Sequence, residues 1–538
     1  MGRLRGLIAF WVLLVAALVA VVFLIPREKR APADTLRLAL RKDPPTLDPS
    51  RATDAISIVI CRRLHRTLVR YDAKLELVGD LASSWEIEDE RTYVFHLRKD
   101  ATFHNGQPVT ARDVVWSLER LMGPESAFFL IVREIRGAKD VRAGRAEKAE
   151  GLSAPDKYTV RIELERPFAP MLAQLSMINT AVLPPKEVER RGADFASQPV
   201  GAGPFRFVEW RPNDRVVIER FDDYRPQPAH LRRVEWRVIK EPEQRLINYK
   251  QGRLDVVDVP LAAVPEVESG ELAGQMLRWR TLNTYYLGFA LDRPPFKGNV
   301  HLRRAINYAV DRKYLCDEVR SGLGTPAKGV LPPDMPGYDP ALKGYAYDPE
   351  RAAKELAAAG HPGGEGLDPI EFCHTTDPEA RRICERIALD LEKVGIRTRL
   401  TSLDWGAYLD RTKKDPSPIY YIAWVADYPD PDNFLYVLFH TNEIPDHNRM
   451  RYRSAPFDNL VEGGRAEVEM DKRLPFYRHA ESRIVDDAPW CFLYHSLACV
   501  LVKERVKGLD LSALDASSDF MATDFTQIRI EEAPGKGP

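Results

Sequence analysis

The chain has 538 residues, 78 Lys and Arg against 79 Asp and Glu, and 44% hydrophobic residues. This is the composition of a folded protein, too long for one ordinary core, so two to four domains or lobes are expected. Balanced charge argues against a nucleic-acid partner, because phosphate binding needs a basic excess; Arg232-Arg233 and Arg303-Arg304 read as solvated faces.

In chain order, Arg3 and Arg5 precede an unbroken apolar run at 7–25, closed by Pro26-Arg27-Glu28-Lys29-Arg30. At the helical rise the run spans about 28 Å, near the hydrocarbon thickness of a bilayer. A signal-peptide core is shorter, about 7–15 residues. Residues 1–33 are therefore read as an uncleaved N-terminal membrane anchor, with a cleaved signal ending near Ala31-Pro32-Ala33 as the alternative. No Cys follows the run, which excludes lipoprotein-type attachment. Basic residues flank both ends, so charge does not decide its orientation.

The body begins with alternation at 35–40, a strand, and a stiff turn at 43–49 (DPPTLDP). Residues 55–68 read as a helix with Asp54 as N-cap. A strand at 93–98 is followed by the Asn105-Gly106 turn signal. Thr110 caps a helix to about Met122, with Asp113 at the N3 position of a capping box. Residues 141–154 read as a surface excursion and 160–164 as a strand. The turn Gly201-Ala202-Gly203-Pro204 leads into alternating residues at 205–210, and strands follow at 216–219 and 234–239. A helix at 242–251 ends at Gly252. Residues 285–291 read as a short strand, and 303–310 and 349–359 as helices. A strand at 370–374, an amphipathic helix at 379–394 and a strand at 396–400 suggest a right-handed βαβ unit. The class is α/β with mixed sheets.

Catalytic signatures are missing. There is no phosphate-binding glycine loop, no HExxH and no GxSxG, and the eleven histidines are dispersed. The adjacent pair Cys373-His374 points to opposite faces of a strand, which does not suit a metal. Six cysteines offer two near pairs, Cys373–Cys384 and Cys491–Cys499, with buried free thiols as the alternative reading. Carboxylates cluster once, in Asp427-Tyr428-Pro429-Asp430-Pro431-Asp432-Asn433. Such a run could hold calcium or only cap a proline-rich turn. Asp427 also ends the apolar stretch 420–426, where a carboxylate is costly unless a cation partners it, and a ligand ammonium is such a cation.

Together these segments resemble the family 5 extracellular solute-binding proteins, the dipeptide/oligopeptide-binding class of ABC importers. The block LASSWEIEDERTYVFHLRKDATFHNGQPVTARDVVWSLER (81–120) carries most of the resemblance. It is joined by DPPTLDP (43–49), TLVRYD (67–72), VGAGPFRFVEW (200–210), PPFKGNVHLRRAINYAVDR (294–312), LPPDMPGYDP (331–340), ADYPDPDNFLYVLFH (426–440) and RIVDDAPWCFLYH (483–495). The resemblance implies a two-lobe periplasmic-binding-protein fold of type II, cluster C-like, with a hinge of two crossing segments and an extra domain inserted in lobe one. Lobe one would take 34–80, 200–276 and 498–530, the extra domain 81–199 and lobe two 277–497.

It further implies a monomer, working outside the cytoplasmic membrane, that encloses a peptide between its lobes and hands it to an ABC permease driven by an ATPase subunit. No enzyme activity, cofactor or metal is implied. Residue by residue, Asp427 matches the acceptor of the peptide α-ammonium. Trp424 and the backbone of Ala423 and Val425 match the strand that pairs with the ligand. Trp405 matches an aromatic pocket wall, and Thr53, Asp54 and Ala55 match the facing segment of lobe one. Trp405 and Trp424 also suit plain core, and Thr53 and Asp54 a helix cap. Three departures stand out: Tyr421 occupies the position of a basic residue in some oligopeptide binders, His65-Arg66-Thr67 replaces the common Tyr-Glu-Gly or Phe-Glu-Gly, and Ala423-Trp424 replaces Gly-Trp before the acidic segment. The carboxylate end of a ligand therefore has no assigned partner, and the alternatives within the family are a non-peptide ligand (nickel chelates, sugars, opines, haem or antibiotics) or a role as a solute sensor.

Overall fold

The alternating apolar residues at 35–40 do form a strand, Thr35–Leu40, parallel to Arg233–Val238 and continued antiparallel by Arg215–Arg220 and Phe205–Arg211. This computed structural model describes residues 32–518 and 520–531, so the membrane-anchor reading of 7–25 lies outside the described residues. Among those described, no helix is long and apolar enough to cross a membrane.

Leu36, Leu38, Val234, Trp236, Val216 and Ile218 bury the face of the first sheet against Ile56, Val59 and Ile60 of the helix Ala55–Leu64. The sequence suggested that this helix runs to 68, but it stops at Leu64. The segment 201–203 lies directly on its end: Gly203 N–H donates to the Leu64 carbonyl at 2.9 Å, and a Cβ on Gly201 would fall 1.8 Å from the same oxygen. Leu68 and Val69 are thereby released. Val69–Tyr71 pairs with Leu77–Gly79, and both residues join the core of the next unit.

That unit is built on a four-stranded sheet, Ala82–Asp89, Thr92–Leu97, Thr159–Glu163 and Leu152–Ser153, covered by the helix Ala111–Met122. Its buried residues run from Leu68 to Ala202 and form a core of their own. The capping box is present, with Thr110 N–H donating to the Asp113 carboxylate at 2.8 Å. The stretch 141–154 is more than a surface excursion: Ala149 and Leu152 are buried, and Leu152–Ser153 pairs with the 159–163 strand.

The largest sheet has seven strands in the order 256–258, 490–502, 276–289, 419–425, 370–375, 398–403, with 324–326 also beside 490–502. The expected short strand at 285–291 is instead Met276–Phe289. Its first half, Leu277-Arg278-Trp279-Arg280, was not recognisable as strand because it acquires its partner, 497–500, only from the far end of the chain. The ladder between these two long strands breaks between Arg280 and Thr284, opposite Leu497 and His495. Thr281 fills the break, donating its hydroxyl to the Ser496 carbonyl at 2.9 Å. The parallel pair Ile370–Thr375 and Thr398–Leu403 is joined by the helix Pro378–Glu392, as the βαβ reading expected. All six cysteines are buried free thiols. Cys491 and Cys499 share one extended strand, about 26 Å apart at the strand rise, which removes that near pair.

One buried acid ties a loop to this body. Glu481, on the helix Met470–Asp487, accepts N–H bonds from Val330 and Leu331, both at 2.8 Å, while its second oxygen has no donor. Burial pushes its carboxyl up to about 7 against the pull of those two bonds. An unfolded Glu titrates near about 4.3, so the native state holds the extra proton. Its stabilising contribution is complete below that value and is lost as pH rises through about 7. Glu481→Gln should therefore reduce the fall in stability between pH 4.5 and 7.5 by about 2–4 kcal/mol. Urea unfolding of both proteins across that range checks this, and equal slopes would contradict it.

Candidate functional site

The strand Ile419–Val425 sits inside the large sheet, yet one of its edges is only partly covered. On one side its residues pair with 283–289, bringing Ala423 opposite Tyr285, Trp424 opposite Thr284 and Val425 opposite Asn283. On the other side only Ile419 and Tyr420 pair, with Phe372 and Cys373. Over 421–425 that edge has no strand partner among the described residues. It spans about 16 Å of backbone. Ala423 and Trp424 are half-buried and Val425 is exposed.

The strand delivers Asp427 to the end of this open edge. Ala426 N–H still bonds the Leu282 carbonyl at 3.1 Å, and the chain then turns into the helix Asp432–Phe439. Asn433, buried in the first turn of that helix, holds the corner. Its Oδ1 accepts from Asp427 N–H at 3.0 Å and from Trp424 Nε1 at 3.1 Å, and its Nδ2 donates to Asp427 Oδ2 at 3.2 Å. Sequence reading passed over Asn433, whose only signal is its place in the Asp-Pro-Asp-Asn run.

The three carboxylates of that run have different fates. Asp430 is held by the buried guanidinium of Arg473, with Nη2 at 2.8 Å, and Arg473 also donates to the Tyr477 hydroxyl at 2.9 Å. Asp432, fully buried, lies 3.0 Å from Nε of the buried Arg465. Asp427 has no cation within ion-pair distance among the described residues, and only Asn433 donates to its carboxylate. Burial pushes its carboxyl up; the Asn433 bond and the charges of His447 and Arg62 pull the other way. With Asp430 and Asp432 committed to arginines, the calcium reading of the run loses its ligands, and no metal-holding cluster occurs among the described residues.

The remaining sequence-derived residues lie apart from Asp427. Trp405 begins the helix Trp405–Lys414 and is 55% exposed, with its ring 6.2 Å from that of Tyr408. Thr53 is exposed. Asp54 caps the helix Ala55–Leu64, accepting from Ile56 and Ser57 N–H at 3.1 and 3.2 Å, and Ala55 opens that helix. No hydrogen bond, ion pair or ring contact joins Thr53, Asp54 or Ala55 to 423–427 among the described residues. What this helix brings towards Asp427 is Arg62, about 10 Å further along its axis than Ala55. The unit built on 68–202 closes another side: Ala169 N–H donates to the Arg465 carbonyl at 2.8 Å, and Arg133 donates to Glu443 at 3.2 Å and to the Tyr436 hydroxyl at 3.1 Å.

Two long strands run between cores: Trp279 and Val500 pack with the first sheet, and Leu287 and Leu493 lie in a different core. An unpaired carboxylate beside an open strand edge suits a protein that holds a solute. Residues 76–446 match the bacterial extracellular solute-binding proteins, family 5, and the chain belongs to that family. Heme-binding protein A of Haemophilus influenzae is 30% identical over 446 residues, 80% of this chain and 80% of that one. The dipeptide-binding protein of Escherichia coli is 28% identical over 483 residues, 85% of this chain and 87% of that one. The structure of the periplasmic binding protein DppA from Helicobacter pylori, in complex with the peptide STSA, is similar with a TM-score of 0.79. It is 27% identical and covers 93% of this chain and 98% of that chain.

The pairing of the acidic run makes a stability prediction. Arg473→Met leaves the Asp430 carboxylate buried without its cation and should cost about 3–5 kcal/mol in urea unfolding. Adding Asp430→Asn should restore part of that loss. A single variant as stable as the parent would show that the ion pair carries no such weight.

Proposed function

We propose that this chain captures peptides outside the cytoplasmic membrane and presents them to the permease of an ABC importer. The observation that carries this reading is Asp427: a half-buried carboxylate without a protein cation, at the end of a strand whose neighbouring edge is open. A peptide in extended form meets both features at once. Its α-ammonium supplies the missing charge to Asp427, and its backbone adds to the edge at Ala423 and Val425 as a further strand. Trp424, fixed by Asn433, lies between them. The dipeptide-binding relative and the peptide-bound DppA structure support the same ligand class. A second ligand, haem, is favoured only by the name of the Haemophilus relative.

Capture works by lobe closure. The ladder break at 281–283 and 495–497 supports a hinge there, with lobe one at 34–80, 200–276 and 498–530, the extra domain at 81–199 and lobe two at 277–497. Trp405 and the 53–55 segment then line the outer reach of the cleft. The protein acts by binding, without catalysis, as a monomer. The stretch 7–25 tethers it to the membrane, so detergent, and not a salt wash, should release it.

Thermal unfolding of the full chain with di-, tri- and longer peptides tests the ligand class, because a ligand that binds only the native state raises the melting temperature. Free-amine peptides should stabilise the protein and their N-acetylated forms should not. Asp427→Asn should weaken binding of free-amine peptides by about 3–5 kcal/mol and leave acetylated ones unchanged. Binding should also weaken on acidification at a higher pH than an ordinary aspartate would give, since burial raises the Asp427 carboxyl. A response to haem or a metal chelate and to no peptide would overturn the peptide assignment.

A further inference from the structure

Four arginines lie on the end of the 55–64 helix and just beyond it: Arg62, Arg63, Arg66 and Arg70. All four line a small cavity of about 40 Å³ bounded on its far side by 522–525. That is room for roughly three waters, or for one carboxylate. Three of the arginines are already engaged. Arg70 lies 3.5 Å from Asp524 and Arg66 3.4 Å from Asp80. Arg63 donates to the carbonyls of Phe520 and Met521 and stacks over the Phe525 ring at 3.9 Å. Asp515, the other acid nearby, is taken up by N–H bonds from Ser512, Ala522 and Thr523 and by the Thr523 hydroxyl.

Arg62 is left over. Among the described residues no carboxylate ion-pairs with it, and its Nε is buried without an acceptor, as is Nε of Arg63. His65, also on the cavity wall, is pushed down to about 3 by burial and adds no charge. Four arginines thus face three acids, Asp80, Asp515 and Asp524. Arg62 is only partly buried, but a guanidinium whose Nε is shielded and which has no counter-charge gains from an incoming anion. The acid that Arg62 feels from the other body is Asp427, beyond ion-pair distance but near enough for each charge to favour the other.

We propose that Arg62, with Arg63 beside it, receives the carboxylate of the captured ligand. The site then selects a zwitterion, with its ammonium on Asp427 and its carboxylate on the end of the 55–64 helix. The ammonium half rests on the peptide reading above; the carboxylate half rests on the arginine cavity alone. One ligand joins the two walls because its opposite ends satisfy an unpaired charge on each.

Calorimetric titration of the full chain with tri-alanine and with tri-alanine amide tests this. The wild type should bind the free acid about 10- to 100-fold more tightly than the amide, the range for a hydrogen bond to a charged group. In Arg62→Gln that ratio should fall close to one, and Arg62→Lys, which keeps the charge, should retain part of it. An acid-to-amide ratio in Arg62→Gln equal to that of the wild type would overturn the proposal and leave the peptide reading intact. If neither tri-alanine form binds the wild type, acetate decides. Saturable thermal stabilisation by acetate in the wild type but not in Arg62→Gln would uphold the anion site while the peptide reading falls. Equal response of the two proteins to acetate, or none in either, would overturn the anion site as well.

Discussion

The site depends on how buried charge is balanced around one turn. A carboxylate withdrawn from water needs a cation, and the run from Asp427 to Asn433 brings three carboxylates into the protein within six positions. Arg473 and Arg465 neutralise Asp430 and Asp432 and lock the start of the 432–439 helix. Asn433 in that helix is then fixed well enough to hold Trp424 and the Asp427 backbone with one oxygen. Because the two arginines are spent, Asp427 keeps an unbalanced charge beside the open edge. The same turn therefore supplies rigidity through its paired acids and a binding group through its unpaired one.

The neighbouring bodies are built around that requirement. Arg465 does more than balance Asp432: its guanidinium lies 3.5 Å over the Tyr436 ring and 4.6 Å over that of Phe168. The inserted sheet unit is thus braced against the acidic turn by aromatic faces as well as by the Ala169 bond. Cation–π contacts of this kind strengthen when shielded from water, and Arg465 is buried.

Much of this was legible in the sequence, and two of the exceptions share a cause. Local signals held: the Thr110–Asp113 capping box and the Asp54 cap depend on neighbours a few residues away, and the 370–403 crossover is one continuous strand–helix–strand stretch. Asp427 was legible because a charge at the end of an apolar strand is anomalous anywhere. Two of the misreadings involve partners distant in the chain. The 55–64 helix ends where 201–203 lies on it. The strand at 276–280 gains its partner some 220 residues later. Arg62 and Arg63 look like ordinary helix-surface arginines until 520–525 covers them. Asn433 was hidden for a different reason, since a turn-forming Asn and one that orients a binding group have the same local sequence.

The two long strands also set an order of events in synthesis. The strand 490–502 lies between 256–258 and 276–289, so the central ladder of the largest sheet cannot close until residues 490–502 have emerged. Among the described residues, the core of the inserted unit draws on 68–202 alone. In the meantime the apolar faces of 276–289 and 419–425 wait for their neighbour, the interval in which unpaired strand edges are most prone to association. Pairing of 490–502 with both neighbours is therefore a late step, and it joins 256–258 and 276–289 into one sheet at a stroke.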